Sequence, residues 1–178
     1  MHGAALHPGL ELRLPRPDEK AEFLRAHRAT TPGCPTFLHY HDEGMAFAAY
    51  LQRLREQRLG IGLPTPDHVP STFLFAFDGA RIVGRASIRH HLNDALERFG
   101  GHIGYVVVPE FRGRGYATAI LAKAVGIARG ELGIRRILVT CDDDNRASIK
   151  AIERNGGVLE DFATVPGSPG PKRRYWIG

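Results

Sequence analysis

Between Arg112 and Thr118 the chain reads Arg-Gly-Arg-Gly-Tyr-Ala-Thr. Gly113 and Gly115 let the backbone turn tightly, so that successive N–H groups can converge on one point. Where such a turn opens a helix, the first amides have no intrahelical acceptor and the helix dipole favours an anion. Arg112 and Arg114 add positive charge to the same place. The chemistry implied is a cradle for a diphosphate. It is not a Walker A loop, which needs Lys followed by Ser or Thr after its last glycine, where this chain has Tyr116 and Ala117. Nor does it fit a dinucleotide fingerprint, which would want Gly or Ala at Thr118 and a loop starting directly at a strand end.

The elements around the cradle are legible from periodicity. His102–Val108 is a short apolar, β-branched run ended by Pro109, and reads as a buried strand. Ala117, Ile120, Leu121, Ala124, Val125 and Ala128 recur at spacings of three and four, and predict an amphipathic helix leaving the loop. Upstream, Leu10–Leu14 alternates as a strand, and Asp18 is a candidate N-cap for a helix to about Ala29. Thr30–Asp42 is a loop, and Gly44 opens a helix to about Arg58. Thr72–Phe77 and Arg81–Arg89 alternate on either side of Asp78-Gly79, a hairpin signal. Downstream, Arg136–Cys141 predicts a buried strand and Arg146–Arg154 a short helix capped by Asn155-Gly156-Gly157. Val158–Thr164 and Arg173–Ile177 predict a closing hairpin across the loop Val165–Lys172.

Four stretches, GGHIGY (100–105), RGRGYAT (112–118), CDDDN-x-x-S (141–148) and NGG (155–157), together resemble the GNAT superfamily of N-acetyltransferases. The loop matches its acyl-CoA pyrophosphate motif as Arg112-x-x-Gly115-x-Ala117. The resemblance implies an α/β (α+β) fold: a mixed, mostly antiparallel sheet of about seven strands with helices on both faces, in one domain over residues 1–178. It implies acetyl-CoA as co-substrate, with transfer of acetyl to a small-molecule or peptide amine. By position, the backbone of Tyr105, Val106 and Val107 would hold the pantetheine arm and polarise the thioester carbonyl. Arg112, Gly113, Arg114, Gly115, Tyr116, Ala117 and Thr118 would hold the pyrophosphate. Asn145 would contact the arm or serve as an N-cap, and both can hold at once; Ser148 is a weaker candidate. The family's usual catalytic tyrosine falls on Ile152 and a frequent carboxylate on Thr140, and neither residue can do acid–base work. Replacements are His102, near the place where other members keep a glutamate base, Asp142, which could attract a cationic amine, and Tyr105, close to the expected sulfur position. A CoA-binding module without chemistry is the alternative.

Composition bounds the remaining possibilities. The 178 residues carry 24 Lys+Arg against 19 Asp+Glu, with no run of like charge, so a nucleic-acid tail is not expected. Arg112, Arg114, Lys123, Arg146, Lys150 and Arg154 fall near the cradle or on flanking helices, where a polyphosphate ligand would want them. No apolar run approaches a membrane span and the N-terminus, Met1-His2-Gly3, does not open like a secretory signal. Cys34 and Cys141 form no CxxC motif, so a cytoplasmic setting is expected. His39 and His41 lack a third ligand at a recognisable spacing, and no metal is expected. The segment Thr30–Gly44, with Phe37, His39, Tyr40 and His41, and the loop Val165–Lys172 would wall the acceptor pocket. A homodimer is common in the family and is left open.

Overall fold

The computed structural model describes residues 7–34, 36–42, 44–164, 167 and 170–178. Met1-His2-Gly3 and parts of the two wall segments, Pro35, Glu43 and most of 165–169, lie outside the described residues. Strand β1 (Leu10–Arg13) is followed by α1 (Lys20–Thr30), α2 (Phe47–Leu59), β2 (Ser71–Asp78), β3 (Arg81–Arg89) and β4 (Ile103–Val107). Then come α3 (Tyr116–Gly130), β5 (Ile137–Asp142), α4 (Arg146–Arg154), β6 (Gly157–Ala163) and β7 (Lys172–Ile177).

The seven strands form two sheets rather than one mixed sheet. One has the order β1-β2-β3-β4, the other β5-β7-β6, and every ladder is antiparallel. The sheets meet where β4 begins beside β5. There the His102 N–H donates to the Leu138 carbonyl at 2.7 Å, and His102 Nδ1 accepts the Leu138 N–H at 3.0 Å. No ladder continues from that point, so the two strands part toward their C-terminal ends. Gly101 makes the junction possible. Its φ is +67°, and an added Cβ would lie 2.6 Å from the Leu138 carbonyl oxygen.

Two apolar layers hold the first sheet. On one face α3 packs Ile120, Leu121, Ala124 and Ala128 against Val83, Ala86, Ile88 and Ile103. At Gly84 the helix comes so close that a Cβ would meet Ile120 Cδ1 at 2.7 Å. On the other face α1 and α2 bury Phe23, Tyr50 and Leu54 over Phe73, Phe75 and Phe77. Each buried phenylalanine contributes about 2 kcal/mol by removing its ring from water.

Several element ends differ from the sequence reading. Asp18 is not an N-cap: a 3-10 turn spans Pro17–Glu19, and Glu19 instead accepts the Arg16 N–H at 2.7 Å and a two-point guanidinium contact from Arg13. That ion pair holds the Glu19 carboxyl down at about 2. The second helix starts at Phe47, three residues after Gly44. In the β2–β3 hairpin Asp78 still pairs with Arg81, so the turn is Gly79-Ala80. No described helix is long and apolar enough to cross a membrane.

Candidate active site

A cleft of about 790 Å³ opens where β4 and β5 part, between the N-terminus of α3 and one face of α4. Its size is that of a site for a ligand larger than a metabolite fragment. Tyr105, Val106, Val107, Arg112, Gly113, Gly115, Tyr116, Ala117, Thr118, Asp142, Asn145 and Ser148 all line it. Of the residues assigned from the sequence to the co-substrate or to catalysis, only His102 and Arg114 do not. Phe111, Gly33, Cys34, Ala147, Lys150, Ala151 and Arg154 complete the wall.

The cradle is built by backbone. Gly113 and Gly115 take φ of +75° and +86°, a region closed to most side chains at low cost. No partner among the described residues accepts the amide N–H of any residue from Gly113 to Thr118. All of these residues but Arg114 line the cleft, at the mouth of a 15-residue helix. The loop is pinned from behind. Tyr116 donates its hydroxyl to Asp78 at 2.5 Å, His7 stacks on the Tyr116 ring at 3.8 Å, and His7 Nε2 contacts the Arg114 carbonyl at 2.8 Å. Lys150 and Arg154 bring positive charge from α4, whereas Lys123 lies in a separate shallow groove with β1.

The strand edge is the second built feature. Arg89 N–H donates to the His102 carbonyl and Val108 N–H to the Val83 carbonyl, so the even-numbered residues of β4 bond to β3. Antiparallel alternation then turns the N–H and C=O of Tyr105 and Val107 toward the gap. This corrects the expectation for Val106: its backbone faces β3, and it can offer the cleft a side chain only. Arg112 Nε already donates to the Val107 carbonyl at 3.3 Å, which draws that arginine to the strand end.

Polar side chains gather opposite this edge. The Tyr105 hydroxyl lies 2.7 Å from Ser148 Oγ. Burial pushes the Tyr105 phenol up to about 12, although the Ser148 contact works the other way. Burial likewise pushes the Cys141 thiol up to about 11, leaving it protonated and a poor nucleophile near neutrality. Asn145 Oδ1 accepts the Ser148 N–H at 3.1 Å, so it caps α4 while lining the cleft. Asp142 bonds Lys172 Nζ at 2.6 Å.

His102 sits elsewhere. It is buried at the sheet junction, and its Nδ1 lone pair is taken by the Leu138 N–H. The neutral ring must then carry its proton on Nε2, so no nitrogen is free to accept another. Burial, reinforced by Arg89, also lowers its pKa. The geometry gives His102 a positioning part and withholds the lone pair that a base needs. At the two positions where the family's usual groups are replaced, Ile152 is fully buried in the core and Thr140 donates to the Phe99 carbonyl at 2.8 Å.

A family model described as the acetyltransferase (GNAT) domain matches residues 10–158. The chain belongs to the GNAT acetyltransferase family. Among solved structures, Mycobacterium smegmatis RimJ in complex with a CoA disulfide is similar at 21% identity and TM-score 0.65, over 94% of this chain and 81% of that one. RimL, a ribosomal-protein α-N-acetyltransferase in complex with coenzyme A, is similar at 18% identity and TM-score 0.64, over 96% and 94%. The microcin self-immunity acetyltransferase MccE, in complex with acetyl-CoA and AMP, is similar at 18% identity and TM-score 0.61, over 97% of each chain. At these identities the likeness is one of fold. No curated protein matches the sequence. As a GNAT member the protein is an acyltransferase, and its parted β4 and β5 are the frame in which that chemistry has to be placed.

Proposed function

We propose that the protein transfers the acetyl group of acetyl-CoA directly to a primary amine. One observation carries this reading: a free strand edge and a run of unpaired helix-mouth amides open into the same cleft. The amides of Gly113–Thr118 would bind the pyrophosphate, with Lys150 and Arg154 available for a further phosphate. Tyr105 and Val107 would hydrogen-bond the pantetheine amides as an added strand and polarise the thioester carbonyl. The amine nitrogen, entering without its extra proton, would attack the carbonyl carbon. The C–S bond of the tetrahedral adduct then breaks, the electron pair leaves on sulfur, and the nitrogen gives up its surplus proton to solvent to leave the neutral amide. The Tyr105 hydroxyl, backed by Ser148, is the donor placed to meet that charge. A phenol near 12 stabilises a thiolate by hydrogen bonding rather than by giving up its proton, because a free thiol is the stronger acid.

Thiol release from acetyl-CoA, followed over amino acids, polyamines, aminoglycosides and short peptides, tests the proposal. Saturable release with at least one amine is the expected result. The replaced acid–base positions, Ile152 and Thr140, favour a second reading, a CoA-binding module without chemistry. Tight CoA binding with no turnover on any amine would select it, and failure to bind CoA would overturn both.

A further inference from the structure

On the face of the first sheet covered by α1, α2 and the loop between them, β3 presents Arg85, Ser87 and Arg89. They alternate with Gly84, Ala86 and Ile88, which face α3. Arg85 is 5% exposed. Its terminal nitrogen donates to the Thr36 carbonyl at 3.2 Å, and its guanidinium lies 5.2 Å from the centre of the Phe73 ring. Among the described residues its Nε has no hydrogen-bond partner, although it is shut off from solvent. Four residues along the strand, Arg89 is half-buried and gives one nitrogen to the Gly100 and Gly101 carbonyls. Among the described residues no carboxylate pairs with either arginine. A buried guanidinium such as that of Arg85 is costly without an anion, because an interior charge is tolerated when it is paired.

Aromatic and histidine side chains of the covering loop pack over this face. His39 from the loop above the sheet lies in the field of both arginines and of His68, its ring 5.8 Å from that of Phe73. Tyr40 next to it is held at φ +64°, a strained conformation for a tyrosine, with its hydroxyl 3.3 Å from Ser71 Oγ. Cys34, against which Arg85 lies, is a wall of the cleft, as is Val106, which pairs with Arg85 across the ladder. The arginines therefore lie just across β4 from the strand edge assigned to the thioester.

We propose that this Arg85–Arg89 face is a subsite for an acidic group, a carboxylate or a phosphate, carried by the amine acceptor. The proposal rests on the acyl-transfer reading above and narrows its acceptors to amino acids, acidic peptides or amino phosphates. The oxyanion would take up the idle Arg85 Nε–H and the outward side of Arg89, and so hold the amine near the reacting carbonyl.

Matched acceptors test it: alanine against alanine amide, and phosphoethanolamine against ethanolamine, each in the thiol-release reaction. The acid member is expected to show a kcat/KM greater by about tenfold or more, since a site built for a charged group rejects the analogue lacking it. That ratio should collapse toward one in both Arg85→Met and Arg89→Met. Equal rates within both pairs, or a preference that survives both substitutions, would overturn the proposal. Arg85→Met should melt at or above the wild-type temperature, because it removes an unpaired buried charge; a large fall would mark a structural residue and count against the subsite. Should none of these amines react, the Arg85 Nε–H NMR signal of the CoA-bound protein decides. A saturable shift with inorganic phosphate or acetate, absent in Arg89→Met, supports the subsite, and no shift overturns it. Calorimetric titration with CoA alone stands apart: its failure removes the acyl-transfer reading, whereas an intact CoA isotherm with no anion effect removes the subsite only.

Discussion

Tyr105 faces the gap through its backbone and meets Ser148 through its hydroxyl. Tyr105→Phe keeps the ring and the strand edge and deletes the donor alone. It is expected to lower kcat by about a hundredfold, the lower range for loss of a hydrogen-bond donor aimed at developing charge. CoA affinity by calorimetry should stay within about twofold, as the backbone contacts are retained. A kcat close to wild type would take the hydroxyl out of the chemistry. Gly113 and Gly115 were legible because few residue types permit their left-handed backbone. In the sequence His102 reads as a base rather than a clasp, since one letter does not say which of two nitrogens is already engaged. Arg85 could not be found by motif at all. An arginine in an alternating strand reads as a solvated face until a covering loop is seen to close over it.

At the scale of elements, strand and helix order followed from periodicity, and most ends lie within a few residues of the expected ones. The split of the sheet did not follow. Both β4 and β5 are apolar runs, and nothing in their composition says that they bond at one end only. The determinant is Gly101, whose backbone conformation and close approach to Leu138 set the vertex. Gly101→Ala puts a Cβ into that carbonyl and forces a left-handed conformation on alanine. It should destabilise the protein by about 1–3 kcal/mol, the usual cost of such strain. Chemical denaturation measures this, and CoA affinity should fall with it if the vertex sets the width of the gap. An alanine variant as stable as wild type would show that the junction has slack.

For the whole molecule, acid sensitivity is set by its shielded histidines. Burial lowers His27, His39, His90 and His102, and brings His39 to about 4, helped by Arg85, Arg89 and His68. The folded state thus keeps these rings neutral where the unfolded chain has begun to bind protons. Stability is fully present above the unfolded value near 6.5 and drains as pH falls toward 4. Glu19 and Glu22, held low by arginines and backbone donors, add a second loss below the ordinary carboxylate range of 4.5. Melting temperatures of wild type and His39→Gln between pH 7.5 and 4 check the first window. The variant should give the flatter curve, and parallel curves would remove His39 from the account.

The seam between β4 and β5 leaves the chain after Gly133 joined to the rest of the fold by side-chain packing, the two-bond clasp at His102 and scattered side-chain hydrogen bonds such as Thr140 to the Phe99 carbonyl and Asn155 to the Thr118 carbonyl. A thioester lying along that seam would act as mortar. It would supply from its own amides the rungs that the protein omits, so that part of the binding free energy becomes cohesion between the halves. On the proposed function, such a molecule would be sturdiest while charged with its reactant and would loosen once the spent carrier departs.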